Sequence, residues 1–116
     1  MKYSQSDVVV FEFPLPNGQS KLHPAVIISN RDVLDLEGVY LCVMLSTKDT
    51  NPEFIFELQP KMLTYPSDKV SYAKCQLVTR VSPRIIINRL GSVKPDYFQQ
   101  LLSKLNLSVF SFRCSP

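Results

Sequence analysis

The chain predicts a mainly β fold: a small, partly open barrel finished by one carboxyl-terminal helix. Three observations carry this expectation. Short runs of β-branched and aromatic residues follow one another between proline-containing and polar breaks. The apolar period changes to helical spacing only after Pro95. With 116 residues there is one compact core and no room for the crossover helices of a parallel sheet.

Each element follows in order. Val8 to Phe13 is a nearly continuous β-favouring run, and Pro14-Leu15-Pro16-Asn17-Gly18 breaks it. Asn-Gly favours positive φ, hence a tight reversal into a second strand, Pro24 to Ser29, with its proline at the first residue. Arg31 to Glu37 is polar and irregular, with room for one helical turn. Gly38 to Leu45 is apolar on both faces, which predicts a central third strand. After a polar loop from Ser46 to Pro52, Glu53 to Leu58 reads as a fourth strand.

Gln59 to Ser67, with two prolines, is a long connection to a fifth strand, Val70 to Val81. Ser82-Pro83 turns the chain into a short sixth strand, Ile85 to Ile87, ending before Leu90-Gly91. Pro95 suits a first helical position, where its missing N–H costs nothing. Phe98, Leu101, Leu102, Leu105 and Val109 then form one apolar stripe on a helix from Pro95 to about Asn106. Arg113 to Pro116 reads as a frayed tail.

Composition narrows the function classes. A hydrophobic fraction of 45% with 20% charged residues is globular rather than disordered. A net charge of +3 permits a nucleic-acid partner without demonstrating one. Cys42, Cys75 and Cys114 lack C-x-x-C spacing and the single His23 completes no zinc set, so no metal or other cofactor is expected. Two strand-buried thiols and one tail thiol are the expectation. No apolar run approaches 18 residues and the amino terminus lacks a secretory h-region, which predicts no membrane span and a cytoplasmic protein.

Lys21-Leu22-His23-Pro24-Ala25-Val26-Ile27-Ile28-Ser29-Asn30 resembles the Arg-Pro-Ala-Val-Val-Val-Ser-Asn signature of the MazF/PemK (Kid) family of toxin endoribonucleases, and further blocks follow in order and with consistent spacing. Ser6-Asp7-Val8-Val9-Val10 resembles its Gly-Asp-Ile-Val opening, and Leu45-Ser46-Thr47-Lys48 its Leu-Thr-Ser strand end. Ala73-Lys74-Cys75-Gln76-Leu77 stands where the Kid branch has an Arg-Cys-Asp-Gln strand, and Ile87 to Asp96 resembles the approach to the final helix. The resemblance spans Ser6 to Leu107. It implies an SH3-like barrel with a terminal helix, a homodimer, single-stranded RNA as substrate and an antitoxin protein as partner. It also implies metal-independent cleavage, in which the ribose 2′-hydroxyl attacks the adjacent phosphate.

Such cleavage needs a group to take the 2′-hydroxyl proton, a group to protonate the leaving oxygen and cations on the phosphorane. The family's arginine before Pro-Ala, its Ser/Thr at the strand end and its later Arg/Asp pair read here His23, Ser46, Lys74 and Gln76. An amide takes no proton, and an ammonium lacks the planar guanidinium fork. An imidazole, with an ordinary pKa of about 6.5, serves as acid or base near neutrality. His23, Ser46 and Lys74 are therefore the catalytic candidates, and Lys21, Thr47, Lys48, Gln76 and Arg80 the substrate-binding ones.

Plainer readings stand beside these. His23 is equally a loop-end histidine bonded to a carbonyl, Ser46-Thr47 a turn and Lys74 a solvated strand residue. Arg84 and Arg89 join Arg80 as phosphate candidates or as ordinary exposed arginines, and the phenylalanines of the strands read mainly as core. At the level of function the alternative is an inactive binding module of the same fold. It would hold RNA or an antitoxin, or contact gyrase as CcdB-type toxins do. A plain protein-interaction barrel is a third reading.

Overall fold

The computed structural model describes residues 3–113. Six antiparallel strands form one sheet in the order β4-β5-β3-β2-β1-β6. The strands are β1 (Asp7–Pro14), β2 (Ser20–Ile27), β3 (Tyr40–Ser46), β4 (Ile55–Leu58), β5 (Ser71–Val81) and β6 (Ile86–Ser92). Among the described residues two α-helices accompany the sheet, α1 (Arg31–Glu37) between β2 and β3, and α2 (Pro95–Ser108) after β6.

Because side chains alternate across a sheet, cross-strand rows sort into two cores. Val8, Val26 and Val43 are paired in register and pack under the α2 stripe of Phe98, Leu101 and Leu105. Val9, Ala25, Ile27 and Cys42 face the other way, with Phe11, Tyr40 and Leu34 of α1. The sheet is pulled toward a barrel by the long connection between β4 and β5. There Leu63 bridges Val93, and the Thr64 amide donates to the Ser92 carbonyl at 2.9 Å. A bulge bends β5 as well. Val43 pairs with Val78 but the next residue, Met44, pairs with Lys74, so Cys75 to Leu77 are extra on β5.

The mainly β barrel with a carboxyl-terminal helix is thus the observed fold, and the differences from expectation are local. β2 begins at Ser20, so Pro24 lies inside it, paired with Val10. The β3 ladder starts only at Ala25, which leaves β2 a free edge at Pro24 where a missing N–H is tolerated. Arg31 to Glu37 is a true helix. Asn30 caps it by accepting from the amides of Asp32 and Val33, and Gly38 ends it at φ 72°. Glu53 and Phe54 belong to a 3-10 turn before β4. β6 runs on through Leu90 and Gly91 to Ser92, and α2 two residues past Asn106. Cys42 and Cys75 are buried free thiols, while Cys114 and the rest of the tail beyond Arg113 lie outside the described residues. Among the described residues no helix is long and apolar enough to cross a membrane.

Candidate active site

The β2–β3–β5 register builds the site. Ala25, Met44 and Lys74 form one cross-strand row, and paired residues share a sheet face. One row outward, Ser46 pairs with Tyr72, and β2 carries His23 at the corresponding position two residues before Ala25. His23, Ser46 and Lys74 therefore project from the same face of the sheet. His23 also pairs with Phe11 on β1, and Phe13 meets the imidazole edge-on, with centroids 5.8 Å apart and planes at 78°.

A cleft of about 330 Å³ opens at this end of the strands. From β2 it is lined by Lys21, Leu22, His23 and Pro24, from the end of β3 by Leu45, Ser46, Thr47 and Lys48, and from β5 by Ser71. Two lysines and an imidazole face it and, among the described residues, no carboxylate does, so its field favours an anion. The Ser46 hydroxyl accepts from the Lys48 amide at 3.0 Å and turns the chain out of β3. Its own proton stays available to a ligand oxygen.

The remaining sequence candidates are placed differently. Lys74 is 6% exposed, and its Nζ donates to the Thr50 carbonyl at 3.1 Å and the Thr50 Oγ1 at 2.8 Å. The reading of Lys74 as a solvated strand residue is therefore replaced by a buried ammonium tied to the loop after β3. Gln76 sits in the β5 bulge, outside the cleft lining, with its Oε1 buried and without a partner among the described residues. Arg80 pairs with Leu41, up to about 20 Å along β5 from Lys74 at the rise of an extended strand, so it does not join the site. Arg89 is engaged by Asp7 at 3.0 Å. Thr50, which holds Lys74, and the cleft-lining Leu22, Pro24, Leu45 and Ser71 were not among the sequence candidates. Nothing local marks Thr50, whose role exists only once β5 lies beside the loop.

Among the described residues no group of three or more His, Cys, Asp or Glu side chains is arranged to hold a metal. Burial pushes the Cys42 thiol up to about 12 and the Cys75 thiol to about 11, which leaves both as core groups rather than nucleophiles at neutral pH.

The six-stranded antiparallel sheet thus carries a basic cleft at the ends of its second and third strands. The PemK-like, MazF-like toxins of type II toxin-antitoxin systems match residues 4–109, and the chain belongs to this family. Among solved structures it is similar to an endoribonuclease in complex with its cognate antitoxin from Mycobacterial species. The TM-score is 0.74 at 15% identity, over 97% of this chain and 99% of that one. It is similar as well to a chain in the crystal structure of MazE-MazF from Deinococcus radiodurans. There the TM-score is 0.72 at 13% identity, over 97% and 100% of the two chains. These likenesses are of fold. In sequence, 98 residues are 32% identical to Darlin of Dictyostelium discoideum, covering 84% of this chain but only 12% of Darlin's length.

Proposed function

We propose that the chain is a toxin endoribonuclease that cuts single-stranded RNA without a metal ion, works as a cytoplasmic homodimer and is neutralised by an antitoxin protein. The observation that carries this reading is the cleft, which sets His23 beside the Ser46-Thr47 corner with two lysines and, among the described residues, no carboxylate.

The chemistry follows from those groups. The His23 imidazole takes the proton of a ribose 2′-hydroxyl as that oxygen attacks the neighbouring phosphorus. The bond from phosphorus to the 5′-oxygen breaks, and the imidazolium returns its proton to that oxygen. A 2′,3′-cyclic phosphate and a free 5′-hydroxyl remain, so protons and bonds balance without a co-reactant. The Ser46 hydroxyl donates to a non-bridging phosphate oxygen, and Lys21 and Lys48 offset the charge of the phosphorane. Leu22 and Thr47 on the cleft wall give an unpaired nucleotide apolar and hydroxyl contacts. An acidic antitoxin segment would be drawn to the same field, in keeping with the complex that the mycobacterial endoribonuclease forms with its cognate antitoxin.

The purified chain, incubated with a long unstructured RNA with and without EDTA, tests the reading. Fragments ending in cyclic phosphate, lost in His23→Ala, are the expected result. Activity unchanged in His23→Ala refutes the assignment. A second reading, a binder of RNA or antitoxin without chemistry, is favoured by one observation: neither Lys74 nor Gln76 lines the cleft. Intact RNA retained by the protein in the same assay would establish it.

A further inference from the structure

The Lys74 ammonium is buried, yet among the described residues no carboxylate lies within ion-pair distance of it. Its described bonds are to two neutral oxygens of one exposed residue, Thr50. A buried cation demands hydrogen-bond acceptors because removing it from water is costly. Thr50 is thus held to β5 by that demand. Between Ser46, fixed in the sheet, and Thr50, fixed by Lys74, lie only Thr47, Lys48 and Asp49, with the Lys48 amide bonded back to the Ser46 hydroxyl. Two of these three line the cleft.

We propose that Thr50 is a positioning residue: by accepting twice from Lys74 it pins the loop that carries Thr47 and Lys48 against the cleft. Lys74 then serves the site through the loop rather than by touching phosphate. The proposal rests on the RNA-cleft reading for its consequence, but its geometry is testable alone. Thr50→Val removes one acceptor at an exposed position and keeps the side-chain shape. Thr50→Ser keeps the acceptor.

The experiment is hydrogen exchange of the Lys48 amide, which reports whether the Ser46–Thr50 turn stays formed, together with binding of a 2′-O-methyl RNA that cannot be cut. In Thr50→Val the Lys48 amide should exchange about tenfold faster, the size expected for losing one charge-assisted hydrogen bond. Affinity for the RNA should fall several-fold, and Thr50→Ser should behave as the parent chain. Unchanged Lys48 exchange in Thr50→Val overturns the proposal. So does a Lys74→Met variant that loses RNA affinity while Thr50→Val loses none, because Lys74 would then act directly. A parent chain that binds no RNA overturns the functional reading instead, and the exchange comparison still decides whether the clasp holds the loop.

Discussion

Arg89 Nε lies 3.0 Å from Asp7 Oδ1, joining a half-exposed guanidinium to a buried carboxylate. The other carboxylate oxygen accepts from the Ser4 amide at 2.8 Å, and the Asp7 amide donates to the Ser4 carbonyl at 3.0 Å. Asp7 therefore ties the turn before β1 to β6. Replacing Arg89 with Met leaves a buried carboxylate short of a cation, and the expected loss is about 1–3 kcal/mol in chemical denaturation. If Arg89 serves only the fold, RNA affinity of the folded variant stays at the parental value, whereas a phosphate contact would lower it.

Gly91 is required by a neighbour. A Cβ placed there would collide with Tyr65 Cδ1 and stand 2.9 Å from both Tyr65 Cγ and Thr64 Oγ1. The ring lies on the β6 backbone where the β4–β5 connection closes the barrel. Gly91→Ala should cost about 1–3 kcal/mol, the usual range for overpacking. In a double-mutant cycle with Tyr65→Ala the penalty should shrink, because the obstructing ring is gone.

The two buried thiols set a pH dependence. Burial raises Cys42 to about 12 and Cys75 to about 11, from an ordinary value of 9.0. Between these values the unfolded chain has released protons that the folded chain retains. Stability is then complete below pH 9 and falls as pH rises through 11 to 12. Tyr40 and Tyr65, also raised by burial, act in the same direction. With Cys114→Ser to leave only these two thiols, alkylation at pH 8 should be slow and should accelerate with denaturant in step with unfolding.

The cleft's charge makes a salt prediction. For single strands the slope of log K against log salt is about 0.7 per neutralised phosphate. Lys21→Ala and Lys48→Ala should each weaken RNA binding and lower that slope by roughly this amount. Arg80→Ala, far along β5, should change neither. His23→Ala should reduce cleavage by about 10²- to 10⁴-fold, the usual share of proton transfer, with little effect on affinity.

Strand identity, the central place of β3 and the stripe of α2 were legible in the sequence because alternation and helical spacing are local signals. His23 and the Ser46 corner, singled out through the motif order, line one cleft in the folded chain. The α1 helix was within reach, since Asn30 and Gly38 bracket it as caps. The extent of β2 and β6 was less accessible, because a proline and a glycine that ordinarily break strands are accommodated by a free edge and by the Tyr65 ring.

Which segments are strands, which stripe the last helix buries and which residue types are offered for chemistry all follow from the order of residues along the chain. Each depends on neighbours a few positions away. Which cations reach the cleft was settled by the folded arrangement alone: Lys21 and Lys48 line it, Lys74 is turned to Thr50, Arg89 is bound to Asp7 and Arg80 is carried away along β5. The reason is that a long cationic side chain goes to whatever acceptor the packing brings near. That acceptor is set by strand register and by a three-residue bulge, across distances in sequence that no local pattern records.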